Sequence, residues 1–239
     1  MRIYFAFDDT DTADSDRGTG KLARWFENEL PESCRSRGVV RQQLLLDPSI
    51  PYTTHNSSAC VIIETPDTSI VEELISRAVK HIERHFIPGS DPGLCVASED
   101  NPVLSKLIQF GRTCTTRVVT QKEAIQVAMG AHLSGHGGTQ GGIIGAAAAV
   151  GLTAHGWGGR FIEFGRLRDF PEKVSVSALE QSRIAVVSID RDAQVLAPED
   201  VVDTKGWLRP RLWGGRPVLP VTHKSNGHWE AVGEKNREE

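Results

Sequence analysis

Three carboxylates, Asp8, Asp9 and Asp11, fall within four residues directly after the apolar run Ile3-Tyr4-Phe5-Ala6-Phe7. Like charges placed so close repel one another, and a cation that joins them removes the penalty. The donors are all oxygen, which suits Mg²⁺, alone or carrying a phosphate. In strand geometry Asp8 and Asp9 point to opposite faces and need a turn between them to meet at one ion, whereas Asp9 and Asp11 share a face. Asp9 and Asp11 are therefore the expected metal ligands, and Asp8 is left to orient a group or accept a proton. Asp and Thr are also good turn and cap formers, and Asp14 and Asp16 are read in that plainer way.

Next comes Arg17-Gly18-Thr19-Gly20-Lys21. Backbone N–H groups opening a helix beside a lysine suit a phosphate, so Arg17, Gly18, Thr19, Gly20 and Lys21 are candidate nucleotide contacts. The spacing is not that of a P-loop, and Thr19 as a simple helix cap is the alternative. A polar loop over residues 47–58 carries His55 and Asn56, with His55 able to act as acid or base near neutrality; a solvated loop stiffened by Pro48 and Pro51 is the competing reading. Six glycines in residues 135–145 surround His136 and Thr139. Glycine at that density is entropically costly and is tolerated where backbone must approach something closely. Gly137, Gly138, Thr139, Gly141 and Gly142 are accordingly read as ligand contacts and His136 as a catalytic participant, with tight helix packing as the alternative. Asp91, in the turn Asp91-Pro92-Gly93, is placed to reach the same sheet end, or the string is simply a turn. His132 and His136 lack an acidic partner at zinc-protease spacing, so zinc is not expected there. Trp157-Gly158-Gly159-Arg160 and Trp213-Gly214-Gly215-Arg216 each pair a stacking surface with a guanidinium, or are hairpin turns next to core tryptophans.

These groups need elements to hold them. Residues 2–7 read as a strand, and Leu22, Ala23, Phe26 and Leu30 recur at helical spacing before Pro31. Two strands follow at 39–46 and 59–64, then an amphipathic helix over 70–86 capped by Asp67 or Ser69, then a strand at 94–97. The order β-α-β-β-α-β is that of a ferredoxin-like unit. Beyond it the sequence suggests a helix at 102–110, a strand at 112–119, a helix at 122–133, an alanine-rich helix at 144–150 and strands at 160–164 and 183–189. The expected fold is α+β: a ferredoxin-like unit with an acidic nucleotide and metal motif over 1–98, a glycine-rich α/β region completing the cleft over 99–180, a small β-rich segment over 181–232 and a disordered tail over 233–239. Whether the later elements extend the first sheet is left open.

The 239 residues, 39% of them hydrophobic, suffice for a core that needs no disulfide or structural metal. No apolar run approaches the length of a membrane span. Cys34, Cys60, Cys95 and Cys114 form no close pair and no apolar leader is seen, which predicts reduced thiols and a cytoplasmic location. The 27 basic and 31 acidic residues give a net charge of -4, so no global positive field gathers nucleic acid. Local patches around Arg160, Arg166 and Arg168, and around Arg209, Arg211 and Arg216, remain available.

Four strings, Phe7-Asp8-Asp9-Thr10-Asp11-Thr12, residues 48–56, Asp91-Pro92-Gly93 and Gly141-Gly142-Ile143-Ile144-Gly145-Ala146, occur in an order that resembles the archaeal tRNA agmatinylcytidine synthetase family over residues 2–165. That resemblance implies ATP and Mg²⁺ at Asp8, Asp9 and Asp11, an active cleft lined by residues 51–56 and 137–145, and Asp91 completing it. It further implies that a cytidine oxygen is activated by phosphorylation before an amine replaces it. The family's Gly-x-Cys-Thr-Thr string is replaced here by Gly18-Thr19-Gly20-Lys21-Leu22, and its OB-type module and zinc ribbon have no counterpart in the pattern.

The expected function is an ATP- and Mg²⁺-dependent phosphoryl transfer that activates an oxygen of a small molecule, with attack by an amine such as agmatine as a second step. The competing readings are a tRNA cytidine-modifying enzyme, a Mg²⁺-dependent phosphohydrolase and a nucleotide- or amine-binding module without catalysis. On the charge argument a small molecule is the expected partner and tRNA a disfavoured one; the oligomeric state is not legible.

Overall fold

The computed structural model describes residues 1–233 except 54, 191 and 193; the tail expected over 233–239 thus lies almost wholly outside the described residues. Helices and a mixed sheet make an α+β fold. β1 (Arg2–Asp8) runs between β3 (Ser57–Glu64) and β4 (Gly93–Ser98), antiparallel to both, and β2 (Arg35–Gln43) pairs antiparallel with the far side of β3. The helices α1 (Thr19–Phe26) and α2 (Val71–His85) connect these strands.

Alternation along β1 sorts its side chains onto two cores. Ile3, Phe5 and Phe7 are fully buried with Leu22 and Phe26 of α1 and Leu74, Ala78 and Ile82 of α2. Tyr4 and Ala6 face the other way, against Leu107 and Phe110 of α3 (Leu104–Cys114) and Ala146 to Val150 of α5 (Ile143–His155). Asp8 continues the Tyr4, Ala6 series and so is directed at α5. The sheet lies between two helical layers, and β1 and β3 are buried on both faces.

The later strands extend this sheet. β5 (His132–Gly135) adds beside β4, and β6 (Trp157–Glu163) beside β2. From β6 the order continues through β10 (Arg211–Trp213), β11 (Arg216–Ser225), β12 (His228–Ala231) and β9 (Val201–Asp203) to β7 (Lys173–Ser175), while β8 (Ala185–Ser188) pairs parallel to β11. A short helix, α6 (Val176–Gln181), follows β7.

Two stretches depart from the sequence reading. Residues 112–119 are not a strand: α3 runs to Cys114, because Leu107, Phe110, Gly111 and Cys114 form one buried helical stripe. The helix expected over 122–133 is α4 (Gln121–Val127), started by a reciprocal Thr120–Glu123 capping box, and residues 132–135 form β5 instead. Gly130, at φ 109, separates the two. Cys60, Cys95 and Cys114 are buried free thiols, and burial pushes Cys60 and Cys114 up to about 12. Among the described residues no helix is long and apolar enough to cross a membrane.

Candidate active site

At the C-terminal end of β1 a cavity of about 440 Å³ opens between α1, the 47–58 loop, the start of α5 and residues 207–209. Asp8, Asp9 and Asp11 all border it. The turn they need to converge is present: Asp9 leaves the strand with φ 51, so the alternation that keeps Asp8 and Asp9 apart ends there. Asp8 lies only partly open to solvent, against the N-terminal turn of α5. A Cβ on Gly145 would sit 2.0 Å from Asp8 Oδ2 and 2.6 Å from Ser58 Oγ, so glycine is the residue that lets the helix approach the carboxylate. Burial pushes the Asp8 carboxyl up to about 7, the Ser58 hydroxyl opposes this, and the charges of Asp9 and Asp11 add to the rise. Asp9 is raised too, by burial first and then by Asp91 and Asp11.

Asp11 has a structural duty as well. Its Oδ1 accepts from Thr19 N at 3.0 Å and from Thr19 Oγ1 at 3.1 Å, capping α1 from across the loop. The N-cap position itself is Gly18, which makes no side-chain cap bond, and Thr10 N donates to Thr19 Oγ1 at 3.2 Å. Thr19 therefore fastens the acidic loop to the helix start. Gly18, Gly20 and Lys21 also line the cavity, with Lys21 Nζ 5.2 Å from the Trp25 ring centre. Arg17 does not line it: its Nε and Nη2 donate to His85 O at the end of α2.

His55 and Asn56 line the cavity from the 47–58 loop. Asn56 Nδ2 donates to Leu45 O at 2.6 Å and Leu44 N donates to Asn56 O at 2.8 Å, so this residue also braces its own loop. Of the glycine-rich stretch, Gly141 and Gly145 reach the cavity, whereas Gly137, Gly138, Thr139 and Gly142 do not. The close approach that these glycines permit is to the protein itself. A Cβ at Gly138 would fall 2.5 Å from Asp91 Oδ1, and one at Gly142 would fall 2.6 Å from both Asp91 O and Gly93 N. Asp91, likewise outside the cavity lining, accepts from Thr139 N at 3.0 Å and from Thr139 Oγ1, and raises Asp9 through its charge. His136 is held away by Ser134, whose Oγ lies 2.8 Å from His136 Nε2 and 2.9 Å from His132 Nε2.

Sequence reasoning marked Arg168 and Arg209 only as members of basic patches and missed the other arginines of the cavity. Arg24, Arg41 and Arg117 line the cavity with Arg168, Arg209 and Trp207. The Arg209 guanidinium stacks 3.9 Å from the Trp207 ring centre, and Arg209 Nε is buried without a hydrogen-bond partner. Burial, then repulsion from Arg168 and Arg24, pushes Arg209 down to about 10 against the pull of Glu163. The aromatic-x-Arg string at 207–209 was the available signal. Trp157 and Trp213, by contrast, face each other across the β6–β10 pair, and Gly214-Gly215 is the hairpin turn into β11.

An all-oxygen acidic group sharing one cavity with five guanidiniums and a lysine suits a hard divalent cation together with phosphate. Asp8 and Asp9, raised by burial and by neighbouring carboxylates, carry charge that a cation would stabilise, so the residues present fit Mg²⁺.

No family model matches the chain. The chain is 26% identical over 231 residues to TiaS of Methanopyrus kandleri, a 2-agmatinylcytidine synthetase acting on an isoleucine tRNA, in an alignment covering 91% of this chain and 51% of that protein. It thus spans about half the length of the curated relative it matches. Two solved structures align with a TM-score of 0.54 each over 63% of this chain and 36% of theirs: a tRNA fluorescent labelling enzyme at 28% identity and a complex of TiaS with its isoleucine tRNA and ATP at 26%. These findings overturn the expectation that tRNA is a disfavoured partner, since the relative is named for an isoleucine tRNA and one of the structures holds that RNA. A net charge of -4 is a whole-chain sum, whereas six cations line one cavity.

Proposed function

Since sequence and fold together make the chain a homologue of the archaeal tRNA agmatinylcytidine synthetases, we propose that it serves an ATP- and Mg²⁺-dependent modification of a tRNA cytidine with agmatine. The observation that carries this reading is the convergence of Asp8, Asp9 and Asp11 at the end of β1 in one cavity with five arginines. Asp9 and Asp11 hold the metal, which when bound neutralises phosphate charge and orients the triphosphate. The Gly18–Lys21 helix start and the arginines position the phosphates and offset the charge that develops as phosphoryl transfers. The cytidine C2 oxygen takes the phosphoryl group and ADP departs. The amine of agmatine then forms the new C–N bond at C2 as the C–O bond to phosphate breaks, and the amine gives up a proton. Asp8, with its carboxyl near 7, is matched to accept that proton at neutral pH. His55 also lines the cavity and offers a second acid–base group.

The element order of residues 1–98 and the antiparallel strand order β4-β1-β3-β2 support a ferredoxin-like unit, with residues 99–180 completing the cleft from the α5 side. The test is incubation of the chain with ATP, Mg²⁺, agmatine and a transcript of the isoleucine tRNA, followed by mass spectrometry of nucleotide and nucleoside. ADP release together with agmatinylated cytidine is expected; AMP release would redirect the activation step to adenylation. No turnover with retained ATP binding would leave the binding-module reading in its place.

A further inference from the structure

On the outer helical layer, away from the cavity, Glu29 in the turn after α1 meets His81 and His85, one helical turn apart on α2. One ligand atom from each lies within 4.8 Å of the other two. His81 is 1% exposed. Its Nε2 lies 2.9 Å from Leu22 O, a bond that requires the proton on Nε2 and leaves Nδ1 as a lone pair. Nδ1 is buried without a hydrogen-bond partner, and what it faces is another acceptor, Glu29 Oε1 at 3.8 Å. The His85 ring closes the third side, 4.6 Å from the His81 ring centre to centre. A lone pair, a carboxylate and an imidazole thus converge on one point. A proton on His81 would answer this, but burial opposes charging the ring.

We propose that Glu29, His81 and His85 form a site for a borderline divalent metal of the Zn²⁺ class, separate from the Mg²⁺ site. Two nitrogens and one carboxylate oxygen select such an ion over Mg²⁺. The Leu22 carbonyl on His81 Nε2 is the outer partner that fixes a metal-ligating histidine in one tautomer and orientation. Metal–ligand bonds of about 2.0–2.2 Å in a tetrahedron need donors about 3.4 Å apart, so the group must contract. Half-buried Glu29 and His85 are the members able to move. Arg84 Nη1 lies 3.1 Å from the same Glu29 Oε1 that faces His81, so the carboxylate must turn its other oxygen to the metal as the group contracts. The fourth position is open to water. The site would stitch the end of α1 to α2, whose C-terminal end is already tied to the acidic loop by Arg17 to His85 O and by Ile87 N to Thr10 O.

The test titrates the purified chain with Co²⁺, then displaces it with Zn²⁺. One Co²⁺ per chain with the intense visible bands of four-coordinate cobalt is expected. Glu29→Gln and His85→Ala, both at partly exposed positions that leave the core intact, should each weaken binding at least ~10-fold, while His228→Ala on the distant β12 should not. A pale six-coordinate cobalt spectrum, or site variants that bind as tightly as the parent, overturns the proposal. Neither result bears on ATP binding, so it stands or falls apart from the reading of the active site.

Discussion

Replacing Gly145 by alanine tests the seating of Asp8 most directly. The added methyl would start 2.0 Å from Asp8 Oδ2 and 2.6 Å from Ser58 Oγ, both far inside contact distance. The Ser58 hydroxyl can rotate away, but Asp8 is the last residue of a strand paired on both sides and α5 is buried along most of its length, so neither backbone yields easily. Overpacking of this kind costs about 1–3 kcal/mol, or a melting-temperature loss on the order of 5 °C for a chain of this size. Urea unfolding of parent, Gly145→Ala, Asp8→Ala and the double variant gives the cycle. In the Asp8→Ala background the methyl has space, so the two changes should couple by at least ~1 kcal/mol in the relieving direction. Mg²⁺–ATP binding to Gly145→Ala should fall in parallel, because the carboxylate is displaced. A Gly145→Ala chain within ~0.5 kcal/mol of the parent, or one with the same penalty in both backgrounds, would refute the packing of α5 on Asp8.

The Asp8 carboxyl, raised in the fold to about 7 from about 4 in an unfolded chain, binds its proton more tightly when folded. Parent stability should therefore fall as pH rises from ~4 to ~7 and level off above, by no more than ~4 kcal/mol in all. Asp8→Asn should flatten that slope in urea titrations across pH, and an unchanged slope counts against burial at Asp8. Arg209→Met should weaken binding to a transcript of the isoleucine tRNA and reduce the slope of log affinity against log salt by about 1; a parallel salt line removes Arg209 from the phosphate surface. Thr120→Ala should cost about 1 kcal/mol through loss of the α4 capping box, measured by thermal unfolding.

The elements around the acidic motif were legible because their periodicity had one cause. β1 alternates between two cores, and α1 and α2 each bury a single stripe, so the pattern of apolar residues states the geometry directly. Residues 112–119 misled because Thr113, Thr115, Thr116, Val118 and Val119 are β-branched, whereas the helix is decided by Leu107, Phe110, Gly111 and Cys114 against α5. The glycine-rich stretch was legible as close approach but not as to what. Gly138 and Gly142 admit the backbone and side chain of Asp91, and only the fold discloses that the approached surface belongs to the same chain.

The arginines of the cavity mark where sequence reading had least purchase, with only Arg168 and Arg209 noted, as members of basic patches. Arg24 comes from α1, Arg41 from β2, Arg117 from the turn after α3, Arg168 from the turn after β6 and Arg209 from the loop before β10, so no spacing rule links them. A summed charge of -4 averages them with acids elsewhere, such as Glu72 and Glu73 on the exposed side of α2. Recognition of a polyanion depends on the potential within a Debye length, roughly 8 Å at physiological salt, and not on the sum. Arg209 registers that local potential: half-buried near Arg168 and Arg24 and with its Nε unpaired, it is pushed down to about 10 by desolvation and by cations that a single carboxylate, Glu163, does not offset. A wall that disfavours its own positive charge favours the arrival of a negative one, and phosphate is the group whose geometry several guanidiniums share.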